Sequence, residues 1–329
     1  MRGLAAAIVT FLLSSAHGAD LDHRAYAKAF TGIFTALQGA DFAALERMHE
    51  QFLEPDARAL DGTWMVQAFQ DVFESSFRFE APAAIEKRFA GWKRLAPRST
   101  LRPIAEAFAW QQRAWVSKGS RRYAELTSAE RRAFDGLIAR AADALREEPA
   151  AGARSPLWHT AAILTAGAQA RPASDLDTLL EEAVRRFPAY VPLFAARMEF
   201  LLPEWGGDFA AVDRFVRTAM EGTRALEGRA MYAWLYLEIA RRYAGLFDRS
   251  LVSWPEMRTA FEDMVERHPD VWNRNVYATF ACRARDAETT LRLLGELGAA
   301  ASLGVWSPGV STESCLRMVR TPPPPSRQS

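Results

Sequence analysis

The histidines are the first candidates for chemistry in this 329-residue chain, because an imidazole can hold a metal or move a proton near neutral pH. His49 is followed by Glu50, as in a zinc protease motif, but Leu53 stands where that motif has its second histidine. His159 lies in an alanine-rich segment, and His268 ends a predicted helix, where a positive charge suits the helix dipole. All three are therefore predicted to be capping or surface histidines.

Other catalytic motifs are missing from the sequence. It has no glycine-rich phosphate loop, no serine in a nucleophile elbow and no cysteine–histidine spacing for a metal. The sequence therefore predicts no catalytic residue, no metal site and no cofactor. Carboxylates that lie far apart along the chain are a source of catalysis that such motifs do not detect.

The two cysteines, Cys282 and Cys315, are 33 positions apart. In an oxidising compartment they predict one disulfide, which would hold the C-terminal segment. The alternative is that Cys282 is a small buried apolar residue in the helical run 276–282. The sequence leaves both interpretations open.

Tryptophan and arginine supply the candidates for binding. Trp110 and Trp115 cannot both point into one apolar stripe of a helix, so one of them is expected to face a groove, with Arg113 beside it. The alternative is that Trp115 packs against a neighbouring helix. The segment 204–208, Glu-Trp-Gly-Gly-Asp, predicts a tight turn, in which Trp205 either packs over the corner or lines the groove. The binding candidates are Trp110, Arg113 and Trp205.

The charges nearly balance, with Lys+Arg 41 against Asp+Glu 40, which argues against a general nucleic-acid-binding protein. Their distribution is uneven, since residues 20–79 are mainly acidic and residues 80–154 mainly basic. Arginines of the basic block either grip a carboxylate or phosphate or pair with the acidic block. We favour internal pairing.

The first 18 residues have the three parts of a secretory signal peptide. Arg2 precedes an apolar run over 4–13, and Ala16 and Gly18 are the small residues expected before a cleavage site. The run is shorter than the ~20 residues that span a bilayer. We therefore predict that residues 1–18 are removed and that the protein is periplasmic or secreted, with no membrane span. A buried N-terminal helix is the alternative.

Apolar residues recur at three and four positions along most of the chain, which predicts an all-α protein. Ser128 and Asp208 are predicted to cap the helices that follow them. Proline ends several helices, because it lacks an amide hydrogen. The predicted helices cover about 21–38, 41–53, 63–79, 82–95, 100–118, 128–147, 157–169, 175–187, 190–202, 209–221, 229–245, 255–268, 271–284 and 286–297.

The helix-ending prolines are regularly spaced. Pro149, Pro188 and Pro269 are separated by about 40 and about 80 residues, and segment 180–188 is similar to segment 261–269. A period of ~40 residues predicts stacked helical hairpins, because one hairpin cannot bury its apolar face alone. Chance similarity between amphipathic helices is the alternative.

Four segments together resemble an uncharacterised bacterial helical domain family of unknown function, which is tetratricopeptide-like. They are Trp92–Ser99, Ala109–Ala114, Glu204–Asp208 and Phe280–Asp286, and their order matches over most of the chain. Where that family tends to have Arg-Gly, this chain has Arg113 followed by alanine. The resemblance implies a helical scaffold and supplies no reaction, ligand or catalytic residue.

The chain is thus predicted to contain a signal peptide (1–18), a helical repeat-like domain (19–300) and a loosely structured tail (301–329) that ends in a proline run. The predicted function is an exported helical scaffold that binds a protein or peptide partner and no nucleic acid. The alternative is an envelope-acting hydrolase that uses carboxylates from several helices.

Overall fold

The computed structural model describes residues 23–54, 56–147, 154–243, 247, 251–303 and 311–320. Within these ranges the chain forms fifteen α-helices and no β-strand, apart from an isolated antiparallel bridge between Arg58 and Trp64. The prediction of an all-α fold is confirmed. The predicted signal peptide and the proline run lie outside the described residues.

The helices are numbered in chain order. They are α1 His23–Gln38, α2 Phe42–Phe52, α3 Gln67–Phe77, α4 Pro82–Leu95, α5 Leu101–Lys118, α6 Ser128–Glu147, α7 Pro156–Ala168, α8 Ala173–Arg186, α9 Val191–Glu199, α10 Phe209–Glu227, α11 Ala230–Ala240, α12 Trp254–Arg267, α13 Val271–Arg283, α14 Ala287–Leu297 and α15 Thr312–Arg320. Short 3-10 helices at Tyr123–Glu125, Pro203–Trp205 and Gly298–Ala300 lie in connections.

The helices are arranged in two layers. Most consecutive helices pack side by side, and the odd-numbered helices from α1 to α11 also pack each against the next odd-numbered one. The odd-numbered helices α7 and α11 are buried along most of their length, whereas α8 and α10 bury a single stripe. The odd-numbered helices therefore form an inner layer that the even-numbered helices cover, and one large apolar core runs through both layers.

Helix starts follow from local hydrogen bonding. Asp208 caps α10 as predicted, because its carboxylate accepts the backbone N–H of Ala211 at 2.6 Å. At α6 the cap is Thr127 rather than the predicted Ser128. The Thr127 hydroxyl accepts the N–H of Glu130 at 3.2 Å, and the Glu130 carboxylate accepts the N–H of Thr127 at 2.8 Å. This reciprocal pair satisfies two backbone donors and so begins the helix one residue earlier.

Residues 56–66, which we call the crossing loop, connect α2 to α3 by way of the second half of the array. Arg58 Nη1 pairs with Glu227 Oε1 at the end of α10, at 2.7 Å. Trp64 Nε1 donates to the carbonyl of Ala189 at 3.3 Å. The predicted helix 63–79 therefore starts only at residue 67, because residues 63–66 belong to this loop.

The turn of the crossing loop requires glycine. Gly62 has a φ of +89°, and a Cβ atom built on it would lie 2.9 Å from the ring of His268. Next to it, Asn273 Nδ2 donates to the carbonyl of Asp61 at 3.0 Å. The tight turn at Gly62 and the hydrogen bond from Asn273 together hold the crossing loop against α13.

The C-terminal segment differs from the loose tail predicted for it at Thr312–Arg320, which form α15. Cys315 in this helix is buried and is bonded to Cys282 in α13, with a Cα–Cα distance of 5.7 Å. A nine-residue helix is too short to be stable alone, so packing on α13 and α14 and the covalent link hold it. The glycines and prolines around this short amphipathic stretch led to the prediction of a loose tail instead of a helix.

Candidate functional site

Trp110, one of the predicted binding residues, lies in the core. It is 1% exposed, the guanidinium carbon of Arg140 lies 3.6 Å from its ring centre, and its Nε1 contacts Glu106 Oε1 at 3.5 Å. Because α5 belongs to the inner layer and is covered on more than one side, a tryptophan outside its main stripe is still buried. Trp110 is therefore not accessible to a binding partner.

Arg113 and Trp205 do not converge with Trp110 on one groove. Arg113 Nη1 donates to the carbonyl of Arg78 at 3.1 Å. Trp205 packs at its corner in a separate small apolar cluster, 5.8 Å from Trp115 between ring centres, and donates to Glu199 Oε1 at 2.9 Å. Trp115 thus packs against a neighbouring element, which is the alternative that the sequence left open.

A different concave surface, which we call the central cleft, lies between the crossing loop and helices α9, α11 and α13. Its cavity volume is ≈ 100 Å³, and it opens to solvent. Trp64 of the crossing loop, Trp234 of α11 and Trp272 of α13 line it together with Glu238 of α11 and Arg241, which follows that helix. Three of the ten tryptophans therefore meet at one cavity.

Helix α3 carries a row of polar side chains that begins at the cleft with Gln67. Gln67 lines the cavity, and Gln70, Asp71 and Glu74 follow at three- and four-residue spacing, which places all four on one side of the helix. The other side of α3 is buried in the aromatic core. The core therefore fixes the direction in which the polar row points.

Asp71 and Glu74 are the chemically unusual pair in this row. Tyr26 Oη donates to Asp71 Oδ2 at 2.6 Å, and Gln70 Nε2 donates to Glu74 Oε1 at 2.8 Å. Both carboxyls are half-buried. Desolvation raises the pKa of Asp71 to about 6 and that of Glu74 to about 7, and the charge of Asp71 contributes to the rise at Glu74. The two carboxyls therefore release their protons only near neutral pH, because their negative charges would lie in a poorly solvated place.

Tyr190, immediately before α9, presents a hydroxyl to the same pair. Its side chain is 0% exposed, its ring lies edge-on to Trp64 at 5.9 Å, and its hydroxyl has no hydrogen-bond partner among the described residues. Desolvation and then the charges of Asp71 and Glu74 raise the pKa of that hydroxyl. The amide oxygen of Gln70 is also buried without a donor in the described part of the chain. Such orphan groups are rare in folded proteins.

The arginines across the cleft have acidic partners of their own. Arg241 pairs with Glu238 at 3.1 Å, and Arg242 pairs with Glu199 at the end of α9. Arg241 acts on Asp71 electrostatically, and its charge lowers the pKa of that carboxyl less than burial raises it. In the described structure, neither carboxyl of the α3 pair forms an ion pair with these arginines.

Among the residues that the structure describes, the ion pairs of the basic block at 80–154 have their partners within that block. Arg102 pairs with Glu106 at 2.8 Å, and Arg121 pairs with Glu130 at 2.8 Å. The favoured pairing with the acidic N-terminal block is therefore wrong for the described ion pairs, whose partners lie inside the same block.

The histidines have structural partners. His49 is buried, not on the surface as predicted, and its Nε2 lies 2.9 Å from Ser155 Oγ; burial lowers its pKa to about 4. His268 Nε2 lies 2.7 Å from Glu227 Oε2. Within the described ranges, no three histidine, cysteine or acidic side chains are grouped to hold a metal ion. No described helix is long and apolar enough to cross a bilayer.

The central cleft was not predicted from the sequence. The available signal was the stretch 67–74, Gln-Ala-Phe-Gln-Asp-Val-Phe-Glu, in which polar and aromatic residues occupy opposite sides of a helix. Such a polar side is usually solvated, and the cleft at Gln67 is completed by residues far along the chain, such as Trp234 and Trp272. No protein-family model, no curated protein and no solved structure matches this chain.

Proposed function

We propose that the protein is an exported helical scaffold, built as a tetratricopeptide-like array of hairpins, that binds an extended segment of a protein or peptide in its central cleft. The alternation of inner and outer helices and the proline period of about 40 residues support the array. The observation that carries the binding proposal is the meeting of Trp64, Trp234 and Trp272 at one concave surface.

Tryptophans in a cavity suit the anchoring of a partner. Binding energy at interfaces concentrates in a few aromatic and arginine residues that lie in pockets. A cavity of ≈ 100 Å³ is smaller than the ~300–1,000 Å³ that ligand sites typically enclose, so it suits a side chain of a larger partner, which the polar groups of α3 and α11 that line it can orient. We expect one or two side chains of an otherwise exposed segment to fill the cleft.

Export is part of the proposal. The sequence of residues 1–18 supports it, and so does the bond between Cys282 and Cys315, because disulfides persist mainly in oxidising compartments. Binding in the periplasm or outside the cell would place the partner among envelope or secreted proteins.

The raised pKa values of Asp71 and Glu74 favour one second function, a hydrolase, since a carboxyl that holds its proton near pH 7 suits a general acid. The geometry argues for binding instead. Both carboxyls come from one side of α3, whereas hydrolysis of a glycosidic bond needs two carboxyls that flank the bond. The geometry of the cleft therefore supports binding better than it supports hydrolysis.

Selection of peptides from a random displayed library tests the proposal. We expect the selected peptides to lose at least about ten-fold in affinity for the Trp234→Ala and Trp272→Ala variants. Phe79→Ala is the matched control, because Phe79 is a large apolar side chain 70% exposed outside the cleft. Trp205→Phe tests the site predicted from the sequence, and we expect it to leave the affinity of the selected peptides unchanged. Peptides that bind the cleft variants as tightly as they bind the unchanged protein would overturn the proposal.

A further inference from the structure

Two of the three tryptophans in the central cleft pack against basic side chains. The guanidinium carbon of Arg58 lies 4.3 Å from the ring centre of Trp64, and the ring centre of His268 lies 5.6 Å from that of Trp234. Neither basic residue lines the cavity. We call Arg58 and His268 the two supports, because they contact the tryptophans from outside the cavity.

Both supports bind one carboxylate. Glu227, the last residue of α10, is only 3% exposed. Arg58 Nη1 lies 2.7 Å from its Oε1, and His268 Nε2 lies 2.7 Å from its Oε2. Burial alone would raise the pKa of Glu227, but the hydrogen bonds and charges of His268 and Arg58 lower it below its ordinary value. The negative charge therefore stays on Glu227 at neutral pH and holds both supports.

We infer that Glu227 is a positioning residue of the central cleft, which fixes the places of Trp64 and Trp234 through the two supports. The inference rests on the proposed function, and it adds to that function a residue that the bound segment does not contact. Glu227 is buried and does not line the cavity. Because one carboxylate holds both supports, it also fixes the two indole rings relative to each other.

The crossing loop follows the position of His268 as well. Gly62, which lines the cavity, has room only for a hydrogen next to the ring of His268, since a Cβ atom there would lie 2.9 Å from it. Asn273 Nδ2 donates to the carbonyls of Asp61 and of His268, at 3.0 Å each. A displacement of His268 would therefore move the loop wall of the cleft together with Trp234.

Asp213 of α10 supplies a matched control. It is buried like Glu227, accepts from Tyr236 Oη at 2.7 Å and pairs with Arg217 at 2.8 Å. Neither partner lines the cleft. Asp213→Asn therefore removes a buried, paired charge of the same helix without altering either support, which separates loss of positioning from loss of stability.

NMR of the full chain without a peptide tests the positioning directly, read at the indole N–H signals. Glu227→Gln leaves the two supports without the charge they share, and its carboxamide has one acceptor oxygen instead of two. We expect the signals of Trp64 and Trp234 to shift, whereas that of Trp205, which lies in a separate cluster, stays in place. Asp213→Asn should leave all three signals nearly unchanged. Unmoved signals of Trp64 and Trp234 in Glu227→Gln would overturn the inference.

Affinity for library-selected peptides tests whether the positioning matters for binding. We expect Glu227→Gln to weaken binding about ten-fold, since misplaced hot-spot rings lose much of their contact energy, and Asp213→Asn to leave it unchanged. In the Trp234→Ala background the loss caused by Glu227→Gln should be smaller, because one of the two positioned rings is already gone. An undiminished loss in that background, or an equal loss in Asp213→Asn, contradicts the inference.

Arg58→Gln keeps the inference testable if Glu227→Gln does not fold. The Arg58 side chain is 25% exposed, so its loss leaves the core intact. It should move the Trp64 signal more than the Trp234 signal and weaken peptide binding about three-fold, half of the full effect on a logarithmic scale. Equal binding by this variant and by the unchanged protein rules the positioning role out.

The two readouts separate this inference from the scaffold function. If the signals shift as expected and no peptide is selected, the positioning by Glu227 stands and the scaffold function fails. If the selected peptides depend on Trp234 but bind Glu227→Gln as tightly as they bind the unchanged protein, the scaffold function stands and the inference fails.

Discussion

Neutralising the α3 carboxyl pair should make the protein more stable at alkaline pH, which is unusual for the removal of two hydrogen-bonded groups. Burial raises the pKa of Asp71 from 3.8 to about 6 and that of Glu74 from 4.5 to about 7. The folded protein therefore holds these protons more tightly than the unfolded chain does. Stability is lost as the pH rises from about 4 through about 7, where the unfolded chain has already released its protons.

The size of the gain follows from the two shifts. One pKa unit corresponds to ~1.36 kcal/mol, so full conversion gives about 3 kcal/mol for each carboxyl. Because solvent reaches both side chains and the two charges interact, we expect Asp71→Asn/Glu74→Gln to gain only about 2–3 kcal/mol together. The carboxamides keep the acceptors for Tyr26 and Gln70.

Urea denaturation at pH 5 and pH 8 measures this effect as the difference in unfolding free energy between the variant and the unchanged protein. The difference should be about 1 kcal/mol at pH 5 and reach about 2–3 kcal/mol at pH 8. The control Glu181→Gln/Glu182→Gln, at exposed positions, should show almost none. An equally stable or less stable variant at pH 8 would refute the reasoning, because the carboxyls would then be fully compensated and the cleft would hold no unmet charge.

Three further substitutions test the scaffold. Burial lowers the pKa of His49 to about 4, so the folded protein loses stability as the pH falls from about 6.5 towards 4. The unfolding free energy, measured in urea, should therefore be about 2 kcal/mol lower at pH 5 than at pH 7 because of this residue. His49→Gln should remove that difference. Replacing Cys282 and Cys315 by serine should lower stability by about 3–4 kcal/mol and expose α15 to trypsin, and unchanged digestion would contradict its anchoring role. Gly62→Ala should lower stability by about 1–3 kcal/mol, seen as a lower thermal midpoint, because of its positive φ and the nearby ring of His268.

The helices were largely predictable because their causes are local. The spacing of apolar residues placed helices at 82–95 and 128–147, and the structure has them at Pro82–Leu95 and Ser128–Glu147. Asp208 was predictable as a cap because capping needs only the residue and the backbone that follows it.

The cleft was not predictable because its causes are distant in sequence. Trp64 donates a hydrogen bond to Ala189, which is 125 positions away in the sequence, and Asn273 donates one to Asp61, which is 212 positions away. No local pattern in a single sequence marks such contacts. The same distance explains the misplaced binding candidates, since burial of Trp110 depends on how the layers stack around α5.

Photo-crosslinking tests most directly the central claim that the concave cleft receives a peptide segment. A photoreactive benzoylphenylalanine replaces Gln67, which lines the cleft, or Glu181 on the outer side of α8, and each protein is illuminated with a library-selected peptide. We expect a crosslink from position 67 that excess unlabelled peptide suppresses, and none from position 181. Crosslinking from position 181 alone would contradict the claim.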